Sequence, residues 1–236
     1  MQSGARMKSK VTPVIRSLAL VAALLALPTP AFSQFSSGTP GFAKEGGYAG
    51  MSVMPSFTFD RVTFDGESAY YEIGGDEITI LPRLSTATML RFILGYRAKN
   101  AGLEISYDFT NHDGTYLDGT GKATFRSINI DGRYYFLPMQ RIQPYVQVGG
   151  SMPTFTVKEG SFLHEDYADA KFSGYGMNAE GGVVVYPHRQ LGISVGYNYR
   201  VLSFDKVTGV KDRLFELRPR FRETSGTVVV SGHVIF

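Results

Sequence analysis

Residues 224–236, TSGTVVVSGHVIF, decide the fold of this chain. Read with a period of two from the last residue, one face of this stretch is wholly apolar or glycine, and the other is mostly polar. The apolar face comprises Phe236, Val234, Gly232, Val230, Val228 and Gly226. Such alternation predicts a β-strand. Since chain ends usually fray into water, we expect a strand that finishes on Phe236 to face lipid, with its edge closed by another strand.

Seven further segments carry comparable alternation over about ten residues each. The clearest are 90–97, 103–110, 127–136 and 193–202, and the weaker ones are 47–59, 144–156 and 172–186. With the last strand the total is eight, which is the usual minimum for closed bacterial barrels of one chain. We therefore predict an all-β fold: a closed antiparallel up-and-down transmembrane β-barrel of about eight strands over residues 45–236.

Short and long connections alternate along this pattern. The short ones are 98–102, 137–143 and 187–190, and the long ones are about 60–87, 111–123, 157–171 and 203–223. An up-and-down barrel then has all short turns at one rim and all long loops at the other, as outer-membrane barrels do with periplasmic turns and external loops. The length of the first loop predicts extra strand-like structure above the membrane.

The first 33 residues have the organisation of an export signal. A basic start precedes the apolar run 18–27 (LALVAALLAL), and Ala31-Phe32-Ser33 resembles a cleavage site. The run is too short to cross a bilayer as a helix. We predict a cleaved signal peptide over 1–33, starting at Met1 or Met7, and a flexible lead-in over 34–44.

Charge and cysteine content restrict the function further. Four of the 24 basic residues and none of the 21 acidic ones lie in the leader. The exported part is therefore close to neutral, and a nucleic-acid partner is not expected. The chain has no cysteine, which excludes disulfides, thiolate metal sites and a lipid-modified cysteine.

Taken together, topology and terminal strand resemble the family of small eight-stranded outer-membrane barrels, such as the OmpA transmembrane barrel, OmpX and the opacity-type surface proteins. The resemblance covers 45–236. It implies a monomer of the outer membrane, in contact with lipid and lipopolysaccharide, that the barrel-assembly machinery inserts. It also assigns an assembly signal to Val230, Val234 and Phe236. Because this family shares a scaffold more than an activity, the implied role is structural or surface-interacting, with an extracellular ligand at the loops as one candidate partner.

If the apolar faces point outward, charged residues point into a lumen only just wide enough for side chains. Isolated buried charges are costly, so we expect them to be paired. We predict a polar network that fills the interior, and a small or gated porin-like channel is the alternative. The network comprises Arg91, Arg97, Glu104, Asp108, Asp131, Arg133, Glu180, Arg200 and His233, with Asn129, Asn178 and Asn198.

Enzymatic and metal sites find little support in the sequence. Some barrels of this size modify lipid A with a histidine, a serine and a carboxylate. Ser231 and His233 share an inner face, but near the periplasmic end and about 7 Å apart, whereas lipid A occupies the outer leaflet. We interpret His233 as an interior hydrogen-bonding residue and predict no catalytic residues, cofactor or metal. His112 and His164 fall in predicted external loops, where residues 111–114 and 118–119 suit turns better than a calcium loop.

Two surface features complete the predictions, and a soluble lipocalin-like barrel remains the alternative to a membrane protein. The fourth long loop is basic, and Lys211, Arg213, Arg218 and Arg220 are candidate contacts for lipopolysaccharide phosphates. Aromatic residues recur toward strand ends and predict two interfacial girdles. These are Phe57, Phe59, Tyr96, Tyr107, Phe109, Tyr134, Phe136, Tyr145, Tyr186, Tyr197 and Tyr199.

Overall fold

The computed structural model describes residues 41–58, 61–64, 67–68, 70–73, 76–79, 83–116, 119–157, 171–208 and 221–236. The strands in this part of the chain are β1 (Gly46–Phe57), β2 (Arg61–Phe64), β3 (Glu67–Ser68), β4 (Tyr70–Ile73), β5 (Asp76–Thr79), β6 (Arg83–Leu84), β7 (Ala87–Arg97), β8 (Ala101–Tyr116), β9 (Gly119–Tyr135), β10 (Ile142–Val157), β11 (Lys171–His188), β12 (Leu191–Thr208) and β13 (Phe221–Ile235). Among these residues no helix is long and apolar enough to cross a membrane.

Eight of these strands form a closed antiparallel ring, in the order β1, β7, β8, β9, β10, β11, β12 and β13. The ring closes where β1 pairs with β13, with Tyr48 opposite Ile235 and Val53 opposite Val230. The prediction of an eight-stranded up-and-down barrel is confirmed. We call the end with residues 98–100, 136–141 and 189–190 the turn end and the opposite end the loop end.

The strands extend further toward the loop end than the sequence predicts. Residues 111–123 were expected to form a long loop, but β8 and β9 continue as a hairpin there, with His112 opposite Ala123 and Asp113 opposite Lys122. That prediction is wrong because the apolar alternation ends at Phe109, where the outward residues become polar, while the backbone pairing continues. The first long connection contains extra short strands, as predicted: β2 pairs with β13, β6 with β8, and β4 with β5.

The two faces of the wall follow the alternation. On β13 the outward Val228, Val230, Val234 and Phe236 are exposed, and the intervening side chains are buried. Across the described strands the outward face of the ring is an apolar band. The prediction that aromatic residues near strand ends form interfacial girdles is wrong at three positions. Phe57, Tyr145 and Tyr186 point into the barrel and are buried. Phe59 lies outside the described residues.

Candidate functional site

The interior of the barrel is the candidate site, because it gathers the charged side chains. Alternate residues of each strand point inward, and burial is nearly complete at all twelve positions predicted for the polar network. The nine charged or histidine members come from six of the eight ring strands, namely β7, β8, β9, β11, β12 and β13. The network is therefore assembled by ring closure, and no single hairpin could form it.

Two ion pairs cross the lumen between opposite sides of the ring. In an order of eight strands, β8 and β12 are four places apart, and so are β7 and β11. Arg200 Nη2 lies 2.7 Å from Asp108 Oδ2, which joins β12 to β8. Arg91 Nη1 lies 3.5 Å from Glu180 Oε2, which joins β7 to β11. The guanidinium groups thus span the lumen at this level.

These pairs belong to a closed circuit of five side chains. Arg91 Nε donates to Asp108 Oδ1 at 2.7 Å, and Arg200 Nε donates to Asn198 Oδ1 at 2.8 Å. Asn198 Nδ2 in turn donates to Glu180 Oε2 at 3.1 Å. Each member orients the next, so the circuit fixes the side-chain positions across the barrel.

Arg133 extends the circuit toward the turn end. Its Nη2 lies 2.8 Å from Glu104 Oε1, and its Nε donates to Gln147 Oε1 at 2.7 Å. The guanidinium carbon lies 4.4 Å from the centre of the Tyr145 ring, and the Tyr145 hydroxyl donates to Glu180 Oε1 at 2.7 Å. Tyr145 therefore connects this group to the ion pairs that cross the lumen.

Arg97 occupies the turn end of the lumen among aromatic rings. It donates to the Tyr186 hydroxyl at 2.6 Å and to Gln143 Oε1 at 2.5 Å, and it stacks 3.7 Å from the centre of the Tyr135 ring. Sequence reasoning missed Gln143 because it assigned this residue to a short turn. Every second residue of a strand points to the same side, so the inward positions of Gln147 and Tyr145 on β10 place Gln143 inside the barrel as well.

His233 and Ser231 have different partners. His233 Nε2 lies 3.4 Å from the Tyr186 hydroxyl, and its ring packs against Tyr48 with centroids 5.2 Å apart. Ser231 Oγ accepts a hydrogen bond from Ser52 Oγ at 2.8 Å. This geometry gives His233 an interior contact with tyrosines.

Asp131 differs from the other interior carboxylates. It is buried on β9, and its side chain lies over the backbone of Gly149. Asn178 and Arg91 are its electrostatic neighbours, but neither carboxylate oxygen accepts a hydrogen bond of good geometry within the described part of the chain. By contrast, Asp108 accepts from Arg91 and Asn129. Asp131 is therefore a buried acid without the direct pairing that the sequence predicts for this interior.

The lumen near the loop end contains a group of packed aromatic side chains, which was not expected from the sequence. Phe57 packs against Phe125 with centroids 5.3 Å apart, and Phe155 against Phe172 at 6.1 Å. His112, predicted to lie in an external loop, instead points inward on β8 beside Phe57, and its Nδ1 lies 2.8 Å from the carbonyl oxygen of Ser85.

The turn end is crossed by residues 41–44, which were predicted to be flexible. Phe42 N donates to Pro138 O at 2.8 Å, and Lys44 N donates to Arg189 O at 2.8 Å. Arg189 Nε donates back to Phe42 O at 3.0 Å, and Ala43 is buried in a cluster with Tyr48, Tyr135, Tyr145 and Tyr186. Because β1 and the turn between β9 and β10 lie on opposite sides of the ring, this segment spans the opening. We call it the strap.

Some of the other predicted sites lie outside the described residues. Among the described residues, no group of three or more His, Cys, Asp or Glu side chains is arranged to hold a metal ion. His164 and the loop cations Lys211, Arg213, Arg218 and Arg220 lie outside the described residues, as does the predicted signal peptide. The side chains assigned to the assembly signal, Val230, Val234 and Phe236, point outward from the barrel.

Comparison with known proteins places this architecture among outer-membrane barrels. The family described as outer membrane protein beta-barrel domain matches residues 19–218. Neisserial surface protein A superposes with a TM-score of 0.52 at 17% identity, covering 81% of this chain and 97% of that one. The outer membrane protein OprG from Pseudomonas aeruginosa gives 0.51 at 16%, covering 82% and 97%. The outer membrane protein AlkL gives 0.51 at 11%, covering 85% and 94%. No curated protein matched the sequence significantly.

Proposed function

Since this chain belongs to the outer membrane protein beta-barrel domain family, we propose that it is a non-conducting surface protein of the outer membrane, with a polar interior that is closed by its own side chains. In this proposal the barrel anchors the protein in lipid, and the loops carry any contact with external molecules. The role is structural or surface-interacting rather than transport or catalysis.

The single observation that carries the proposal is the pair of ion contacts across the lumen, Arg200–Asp108 and Arg91–Glu180. An ion or small solute that passed this level would have to separate them. Breaking one buried pair typically costs about 3–5 kcal/mol, because it leaves an uncompensated charge in a poorly solvated interior. The strap and the rings around Arg97 support closure at the turn end as well.

Single-channel recording in a planar bilayer tests this proposal. The purified, folded protein is expected to give a flat current trace over the voltage range in which the bilayer is stable. Discrete, reproducible openings from the same preparation would overturn it. A heat-modifiable gel band, which distinguishes folded from unfolded barrels, verifies that the protein recorded was folded.

A small or gated channel is the second candidate, and one observation favours it. Several buried interior polar atoms have no hydrogen-bond partner within the described residues, among them Ser194 Oγ, Ser225 Oγ and Asn178 Oδ1. Such atoms are commonly satisfied by internal water, and a chain of waters past the ion pairs would permit slow conduction. Proton flux into liposomes that contain the protein, measured with an internal pH dye, separates this candidate from the closed barrel.

An enzymatic role is not part of the proposal, since Ser231 and His233 have separate partners and lie toward the turn end. Mass spectra of lipid A from cells that overproduce the protein should be unchanged, and a new mass would contradict this. We further propose insertion as a monomer through the barrel-assembly machinery, guided by the last strand, and contact of the fourth loop with lipopolysaccharide.

A further inference from the structure

A row of polar side chains crosses the outer wall at the loop-end edge of the apolar band. Strand register pairs Arg126 with Thr154, Thr154 with Ser173, and Ser173 with Lys206. The row therefore runs over four adjacent strands, β9 to β12. Arg126 and Lys206 are exposed, and Thr154 and Ser173 are half-buried. Neighbouring strands are about 4.8 Å apart, so the two cations stand roughly 14 Å apart with two hydroxyls between them.

Further charges lie close to the Lys206 end of the row. Lys171 is exposed on β11, two residues beyond Ser173 toward the loop end, and is diagonal to Lys206. Diagonal neighbours on a sheet are within reach of long side chains. Asp205 is also exposed, at the register shift next to Lys206. The row thus has one cation at one end and two cations with one acid at the other.

Arg126 is held at the boundary of the apolar band. Its guanidinium carbon lies 5.8 Å from the centre of the Phe109 ring, which is the outward residue opposite it on β8. A cation above an aromatic face is attracted to it and loses some of its freedom to move away. The charge is therefore kept at the edge of the apolar band.

The wall directly below the row is strongly apolar. Two residues toward the turn end from Arg126, Thr154 and Ser173 are Ile128, Met152 and Tyr175, all of them exposed large hydrophobic side chains. Below them, Met177 has the highest exposed fraction, 73%, among the apolar side chains that the structure describes. A ligand that fits both the polar row and the apolar surface below it has an anionic, hydrogen-bonding head and acyl chains that run down the wall.

We propose that this row binds the phosphorylated disaccharide head of lipid A in the outer leaflet. Lipid A carries a phosphate toward each end of a disaccharide, which matches a row with cations at its ends and hydroxyls between them. Arg126 binds one phosphate with its planar fork of donors, and Lys206 with Lys171 binds the other. Thr154 and Ser173 hydrogen-bond the sugar, and Ile128, Met152 and Tyr175 contact acyl chains.

This site deepens the proposed contact with lipopolysaccharide, which the sequence places in the fourth loop, and it rests on the outer-membrane location in that proposal. It is separate from the closed lumen, because every residue of the row points away from the interior. Discrete channel openings would therefore overturn the closed barrel and leave the lipid site untouched. Failure to bind lipid A would overturn the lipid site and leave the closed barrel untouched.

Native mass spectrometry of the folded protein in neutral detergent, titrated with purified lipid A, tests the site. The wild-type protein should bind lipid A roughly tenfold more tightly than lipid A stripped of both phosphates, which is the scale expected for two or three exposed charge contacts. Equal binding of the two lipids would overturn the proposal. This comparison needs no variant, so it stands even if a variant fails to fold.

The double variant Arg126→Gln with Lys206→Gln locates the effect. It should lose the roughly tenfold preference for the phosphorylated lipid, while Lys99→Gln with Arg141→Gln, which removes one lysine and one arginine at the turn end, should keep it. Retained preference in the first double variant, or equal loss in the second, would contradict the assignment. A protein dimer that forms in place of the lipid complex would show that the occupant is a second copy of this chain, and would also overturn it.

Discussion

Asp108 and Arg200 join opposite sides of the barrel. The two side chains come from β8 and β12, four strands apart in a ring of eight, and Arg200 Nη2 lies 2.7 Å from Asp108 Oδ2. Asp108 accepts hydrogen bonds from Arg91 Nε and Asn129 Nδ2, so this one carboxylate compensates the charge of two guanidinium groups. Loss of the Asp108 charge would therefore affect two buried guanidinium groups at once.

The first prediction concerns Asp108→Asn. Because the substitution leaves the two guanidinium groups without their shared counter-charge, the free energy of unfolding should fall by about 3–5 kcal/mol. Urea unfolding in lipid vesicles, followed by tyrosine fluorescence, measures it. Asp113→Asn, at an exposed carboxylate on the same strand, is the matched control and should change stability by less than about 1 kcal/mol. Similar losses for both variants would contradict the assignment.

Asp131→Asn should have the opposite outcome. Neither oxygen of Asp131 accepts a hydrogen bond in the described part of the barrel, so a neutral side chain of the same shape removes a buried charge without breaking a direct pair. We expect the free energy of unfolding to be unchanged or to rise by about 1 kcal/mol. A fall as large as that of Asp108→Asn would mean that Asp131 is paired in the folded protein.

The strap gives a third prediction. Arg189→Ala removes the donors to the carbonyl oxygens of Phe42 and Gly41, so residues 41–44 should open more often. Amide hydrogen exchange at Phe42 and Lys44 should become faster, while exchange in β12 stays as it was. Arg141→Ala, which removes a guanidinium stacked on the Phe42 ring but no hydrogen bond to the strap backbone, should have a smaller effect. Unchanged exchange at Phe42 would contradict the idea that hydrogen bonds from Arg189 hold the strap in place.

The fourth prediction concerns Phe236, which is 68% exposed and whose backbone N–H donates to Gly47 O at 2.9 Å. Deletion of Phe236 should lower the amount of protein in the outer membrane more than it changes the stability of the molecules that insert. Quantitative blotting of membrane fractions measures this, with Phe236→Tyr as the control that keeps an aromatic end. Normal membrane levels of the deletion would remove the assembly-signal hypothesis.

The barrel could be predicted from sequence because lipid imposes a period of two on every strand. Along β13, for example, Val228, Val230 and Val234 alternate with buried residues, and another strand, β1, closes its edge as expected. The same alternation predicts the inward position of the charged residues. When the apolar neighbours of Arg91, Asp108 and Arg200 face lipid, these three side chains must point to the other side of the wall.

The features that escaped prediction are those in which this alternation disappears. Near the loop end the polarity of the two faces is reversed, because inward residues such as Leu202 and Phe204 are apolar and outward ones such as Asp113 are polar and exposed. The outward apolar alternation therefore ends before the strands do. The strap depends on Pro138 and Arg189, about 100 and 150 residues away in sequence, and no local pattern encodes such contacts. Aromatic side chains mark both lipid interfaces and barrel interiors, so Tyr145 and Tyr186 could be placed only by parity.

Single-channel recording of the wild-type protein beside the double variant Arg91→Ala with Arg200→Ala shows whether the interior ion pairs close the lumen. Each substitution removes one of the guanidinium groups that cross the lumen. We expect a flat trace for the wild-type protein and a higher ion flux for the variant, provided both show the folded band on a gel. Discrete openings of the wild-type protein, of the same size as those of the variant, would show that the ion pairs do not close the lumen.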